Sequence, residues 1–272
     1  MTSGQDATPG RGVVITGAGS GIGAALARKL AAGGDRLVLN DLNPAAVTAV
    51  AAQVGALAVP GDAASPDGIQ TLIERARAEL GAIDLFFANA GIGTGGGPEV
   101  PDEGWLRSWD VNVMSHVRAA RLLVPGWLAA GRGHFVATVS AAGLLTMPGS
   151  APYSVSKHAA LAFAEWMSVS YGNRGITVQA ICPQGVRTPM LEDSGPVGDL
   201  VLRPDAIDAD ELAEVVSAAL DGGPFLILPH PEVAEYYAHR AGDPDRWLRG
   251  MRRAQVQIDA LSTGELLEPE VG

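Results

Sequence analysis

One stretch near the N-terminus restricts the possible folds more than any other. Gly12-Val13-Val14-Ile15-Thr16 is a short apolar, β-branched run, and it passes directly into Gly17-Ala18-Gly19-Ser20-Gly21-Ile22-Gly23. A strand buried on both faces reads as such an unbroken run, not as an alternation of apolar and polar residues. An alanine-rich helical segment follows from about Gly21 to Ala32, and Gly33-Gly34 ends it. A strand, a glycine turn and a helix in direct succession open a βαβ unit, whose helix must cross one face of a parallel sheet. The turn also has a chemical use. Glycines let the backbone approach a pyrophosphate, and the helix N-terminus offers unpaired N–H groups and the positive end of a dipole.

The same alternation continues along the chain. Strand patterns recur at 36–39, 56–59, 83–87, 135–139, 176–181 and 225–228. Helical patterns lie between them, at 44–54 behind the cap Asn43-Pro44, then at 66–80, 102–124, 151–173 and 208–220. The span 191–208 has no period and reads as a loop or lid. Two further helices are expected at 231–240 and 244–261. The fold class is therefore α/β: a doubly wound, Rossmann-type sheet of seven parallel strands, helices on both faces, and a C-terminal helical extension over 229–262. With 272 residues, 47% of them hydrophobic, one domain over 11–262 can bury a large core. Residues 1–10 and 263–272 read as loose tails.

In such sheets ligands bind beyond the C-terminal ends of the strands. Asp41 ends the second strand, where a carboxylate accepts hydrogen bonds from adenosine ribose hydroxyls. The neighbouring Asn43 is the better helix cap, which leaves Asp41 for the ribose. Asp62 follows the third strand; it either bonds an adenine amino group or caps a turn. Asn89-Ala90-Gly91 follows the fourth, Ser140 the fifth and Pro183 the sixth. Residues far apart in sequence thus meet in one crevice.

Tyr153 and Lys157 stand four apart on a helix and so share one face. A free phenol has a pKa of about 10 and is a poor base at neutral pH. A nearby ammonium favours the phenolate and lowers that value, so the pair can exchange a proton with an alcohol or ketone oxygen. YxxxK occurs on many helices by chance, and the argument rests on its place after the other motifs. Asn112 sits inside an expected helix, a mediocre position for asparagine.

Charge and composition exclude other classes. A net charge of −11 repels nucleic-acid phosphates. No apolar run reaches the ~18 residues that span a bilayer, and the N-terminus has no apolar signal core. The single Cys182 permits no internal disulfide, and the five histidines show no metal-ligand spacing. A metal-free cytoplasmic protein is expected.

These motifs, TGAGSGIG at Thr16–Gly23, NAG at Asn89–Gly91, Asn112, Ser140, YSVSK at Tyr153–Lys157 and PQGVRT from Pro183, resemble the short-chain dehydrogenase/reductase family in its compact form. The likeness covers about residues 11–228. It implies hydride exchange between a nicotinamide cofactor and a carbonyl or alcohol carbon. In it Tyr153 is the general acid/base, Ser140 bonds the substrate oxygen, and Lys157 lowers the tyrosine pKa and holds the nicotinamide ribose. Asn112 holds a water that links Lys157 to solvent. The cofactor contacts it implies are Gly17, Gly19, Ser20, Gly21, Ile22, Gly23, Asp41, Leu42, Asp62, Ala63, Asn89, Ala90, Gly91, Tyr153, Lys157, Pro183, Val186 and Thr188.

Two features depart from the family. Gln184 interrupts its usual Pro-Gly after the sixth strand, and helical residues continue beyond the seventh. Gly93, Leu144, Leu145, Met147, Gln184, Met190 and Leu191 are the candidates to face a substrate. The expected protein is an NAD(H)-dependent oxidoreductase acting on a small, apolar secondary alcohol or ketone, assembled as a homodimer or homotetramer. A nicotinamide-binding regulator, or an epimerase or dehydratase with bound NAD, is the alternative. NAD is expected over NADP because Asp41 would face the 2′-phosphate and neither Ser20 nor Leu42 nor Asn43 supplies a cation.

Overall fold

A seven-stranded, wholly parallel sheet forms the centre of the structure, a computed structural model that describes residues 10–195 and 198–263. The main strands are β1 (Gly12–Thr16), β2 (Arg36–Asn40), β3 (Leu57–Ala58), β4 (Leu85–Ala88), β5 (Gly133–Thr138), β6 (Ile176–Ile181) and, at the far edge, β9 (Leu226–Ile227). Their order is β3-β2-β1-β4-β5-β6-β9. The chain leaves β1 toward one edge and returns to β4 toward the other. The strand order therefore reverses between β1 and β4, which pair at Val13–Leu85 to Ile15–Phe87. A crevice opens at such a switch point. A separate two-stranded ladder joins β7 (Val186–Arg187) to β8 (Ile207–Asp208).

Alternate residues of each strand feed two apolar layers, as the pleat requires. Val14, Phe86, Phe135 and Val178 pack with α3 (Pro66–Leu80), α5 (Ser115–Ala130) and α7 (Ala151–Tyr171). Val13, Ile15, Phe87 and Val136 pack with α1 (Gly21–Ala32), α2 (Pro44–Val54) and α9 (Ala209–Ala219). Local chemistry sets several boundaries. The Asn43 side chain accepts the Ala46 N–H at 3.2 Å and caps α2, and left-handed Gly55 ends it. Ser65 accepts the Gly68 N–H at 2.9 Å at the start of α3, with Pro66 in the first turn.

The helix expected over 102–124 differs. It is α4 (Asp102–Trp109), a π-helical turn at Asp110–Met114, and α5, which runs through Pro125 to Ala130. Proline lacks one helical N–H, yet the last turn holds because Trp127 is 5% exposed and donates its indole N–H to Ile83 O at 2.6 Å. The edge strands are shorter than their sequence patterns, because only residues facing a neighbour form ladder bonds. The span read as a loop contains α8 (Pro189–Glu192), a π-helical turn at Gly198–Leu202 and β8.

The C-terminal extension packs on the sheet's α7 side as α10 (Glu232–Gly242) and α11 (Pro244–Thr263). Val233 is fully buried, and Ile258 is 3% exposed. Arg240 donates to Leu144 O, in the short helix α6 (Ala142–Leu145), and meets His158 Nε2 at 3.1 Å. Apart from Gly10 and Thr263, the tails expected at 1–10 and 263–272 lie outside the described residues. No helix among the described residues is long and apolar enough to cross a membrane.

Candidate active site

The β1–β4 switch point opens into a cavity of about 620 Å³. One end is the glycine turn. Gly17 has φ +64°, and a Cβ there would lie 2.9 Å from Ala90 Cα; a Cβ on Gly23 would lie 2.2 Å from Gly17 O. Only glycine permits so close a fold of the chain. Thr16 holds the turn to the neighbouring strand. Its Oγ1 accepts the backbone N–H groups of Asn89 and Ala90, each at 3.0 Å, and donates to Phe87 O at 3.2 Å. The Asn89 amide donates to Thr16 O and Gly17 O, at 2.9 and 3.2 Å, and accepts the Thr138 hydroxyl at 3.0 Å. Asn89 thereby braces β1, β4 and β5 together. Asp41 stands at the end of β2, where Oδ2 accepts the Gly19 N–H and Oδ1 the Asn43 N–H, both at 2.9 Å. The carboxylate is thus part of the turn's support, with lone pairs left for a ligand.

Ser140, Tyr153 and Lys157 line the other end. Ser140 leaves β5, and its Oγ accepts the Ala142 N–H at 3.1 Å. Lys157 is 4% exposed; its Nζ donates to Thr138 O at 3.0 Å and lies 5.7 Å from the centre of the Tyr153 ring. Asn112 is fully buried in the π-helical turn. Its amide accepts the Ile92 N–H at 2.9 Å and donates to Ile92 O and Ser156 Oγ, both at 3.0 Å. A π turn widens the helix locally and is often found at functional sites.

The sequence of residues 11–196 matches the short chain dehydrogenase family. The chain belongs to that family. It is 35% identical over 237 residues to 1-deoxy-11-beta-hydroxypentalenate dehydrogenase of Streptomyces exfoliatus, covering 82% of this chain and 84% of that one. It is 32% identical to cyclohexanol dehydrogenase of Acinetobacter sp. (strain SE19), covering 76% of this chain and 86% of the relative. Among solved structures, a short chain dehydrogenase/reductase from Burkholderia phymatum in complex with NAD superimposes with a TM-score of 0.80 at 28% identity, over 87% of this chain and 94% of that one.

Within this short-chain dehydrogenase site, Gly17, Ser20, Gly21, Ile22, Gly23, Asp41, Asn89, Ala90, Gly91, Pro183, Val186 and Thr188 line the cavity with Ser140, Tyr153 and Lys157. Gly19 reaches the site through its bond to Asp41. Leu42, Asp62 and Ala63 do not line the cavity: Leu42 is 65% exposed, Ala63 is buried, and Asp62 accepts the Ala64 N–H at 2.9 Å in a turn of its own. Asn112 lies behind the wall. Its side-chain amide hydrogens bond Ile92 O and Ser156 Oγ and so hold the loop after β4. Of the substrate candidates, Gly93, Met147, Gln184, Met190 and Leu191 line the cavity, whereas Leu144 and Leu145 are core residues of α6, 1% and 9% exposed. The helical turn at 142–145 directs them inward, a change of direction the apolar run did not announce.

The electrostatics also correct an expectation. Burial pulls the Lys157 pKa down to about 8 and is the largest influence on Tyr153, raising its pKa; a hydrogen bond with Ser140 opposes this. The enclosed pocket strips water from both charged forms. Sequence reasoning missed Ile92, Thr94 and Ser150, and Leu202 in the π-helical turn at Gly198–Leu202, which line the cavity from segments without a motif. It also missed the strain at Thr146, with φ +65° the one non-glycine residue at positive φ among the described residues. Thr146 precedes Met147, whose N–H bonds Ser154 Oγ at 2.9 Å.

Proposed function

We propose that the chain is an NAD(H)-dependent dehydrogenase that interconverts a secondary alcohol and a ketone. One observation carries the reading: a glycine turn with its carboxylate and a Ser140–Tyr153–Lys157 group occupy opposite ends of one cavity. The glycine cradle fits a dinucleotide, because Cβ atoms at Gly17 and Gly23 would fill the space in which the backbone folds. The nicotinamide, when bound, supplies the hydride acceptor or donor.

The residues of the chain handle the proton. Ser140 Oγ donates a hydrogen bond to the substrate oxygen. In the reducing direction the Tyr153 phenol, kept protonated by burial, gives its proton to the ketone oxygen as hydride reaches the carbon. In the oxidising direction the phenolate takes the hydroxyl proton as hydride leaves. The Lys157 ammonium, when protonated, offsets part of the cost that burial puts on the phenolate, and Asn112 holds the intervening loop. Tyr153→Phe deletes only the phenolic oxygen and is expected to lower kcat at least 100-fold while NADH still binds. Retention of a tenth of the wild-type rate refutes the role.

Asp41 supports NAD over NADP. A 2′-phosphate would meet the carboxylate, a clash of about 1–3 kcal/mol at intermediate dielectric, or a 5- to 150-fold preference. Asp41→Ala is expected to erase most of it in kcat/KM; equal use of both cofactors by the wild type refutes the assignment. Ile92, Met147, Met190, Leu191 and Leu202 give the substrate end an apolar lining. Together with the names of the two relatives, this supports an alicyclic alcohol as substrate. Val155, Trp166 and Val169, 50%, 55% and 85% exposed along α7, support association of two or more copies.

A further inference from the structure

The residue inserted after β6 is held in one orientation by the C-terminal extension. The Gln184 N–H donates to His230 Nδ1 at 3.2 Å. A backbone N–H cannot accept, so Nδ1 carries no proton; Nε2 carries it and donates to Asp205 O at 3.2 Å. His230 is 3% exposed, and it ties together the loop after β6, the loop before β8 and the start of the extension. The Gln184 side chain donates Nε2 to Glu232 Oε1 at 2.5 Å. A carboxylate only accepts, which decides which way the amide is turned. Its Oε1 has no hydrogen-bond partner among the described residues, and Gln184 lines the cavity.

We propose that Gln184 determines specificity: its amide oxygen accepts a hydrogen bond from a hydroxyl or N–H that the substrate carries away from its reacting carbon. Glu232 is the positioning residue that presents this oxygen. The proposal rests on the dehydrogenase reading above and narrows its substrate class to alicyclic secondary alcohols bearing a second donor. A site that offers an acceptor discriminates against an analogue without the matching donor, because the acceptor then stays unpaired.

The test compares kcat/KM with NAD for cyclohexanol and for the cis and trans isomers of 1,3- and 1,4-cyclohexanediol. The wild type is expected to favour at least one diol about tenfold, as one good hydrogen bond allows. In Gln184→Met, of similar length without the oxygen, that ratio falls to about one. Glu232→Gln can donate as well as accept, which lets the Gln184 amide turn; the ratio then falls through KM. An unchanged ratio in Gln184→Met, or a wild type that favours no diol, overturns the proposal. The same pairs are titrated calorimetrically into the NADH-loaded protein. Preferential binding of a diol without turnover of either alcohol counts against the dehydrogenase reading and keeps Gln184's role; equal binding rejects the role.

Discussion

Thr16→Val isolates one hydroxyl on which the site's geometry depends. The two side chains have nearly the same shape, so no cavity forms, and valine suits a strand at least as well as threonine. What disappears is the acceptor for the Asn89 and Ala90 N–H groups and the donor to Phe87 O. Thr16 is 3% exposed, so its own surroundings offer no water in exchange. An unpaired buried donor costs about 1–3 kcal/mol. Asn89 and Ala90 line the cavity and are half-buried, so solvent can reach one side of each; the total belongs at the low end, about 2–3 kcal/mol for the two. Urea unfolding at pH 7 reads this as a lower midpoint with the same m-value. NADH titration reads the local effect: freeing the glycine turn from β4 is expected to weaken binding about 5- to 10-fold. A loss below about 0.5 kcal/mol, with unchanged NADH affinity, would show that Thr16 does not brace the turn.

Burial of Lys157 gives stability a pH dependence whose sign follows from the lowered pKa. Its pKa is about 8 in the fold against 10.5 in the unfolded chain, so between these values the unfolded chain binds more protons and stability rises with pH. The rise reaches about 3 kcal/mol, and subtracting the profile of Lys157→Met isolates it; a pH-independent difference refutes it. Gln255 of α11 accepts the N–H of Gly149, a cavity residue, at 3.0 Å. Gln255→Leu is expected to raise KM for the alcohol about 5-fold without affecting NADH binding, measured by steady-state kinetics and NADH titration; an unchanged KM removes the extension from the substrate wall.

The parts of the protein legible in the chain are those that local chemistry decides. The β-branched run at 12–16, the glycines after it and the cap Asn43-Pro44 each report a backbone state that short-range sterics and hydrogen bonding select. Strung in order, they imply the parallel sheet, and with it the meeting of Asp41, Ser140, Tyr153 and Lys157. Other features come from contacts between residues that no local pattern relates. Pro125 lies inside a helix because Trp127 is anchored on Ile83. Leu144 and Leu145 are core because a single turn of helix aims them inward. Asn89 stands in a short motif at a strand end, and only the fold shows that its amide also joins three strands. Gln184 is a lone departure in the sequence and acquires an orientation only when His230 and Glu232 arrive from the C-terminal extension. Backbone preference acts over a few residues and is written in them; side-chain partnership and desolvation act through space. The pKa of Tyr153, which its spacing from Lys157 suggested would fall, is therefore raised by the burial that only the packed structure creates.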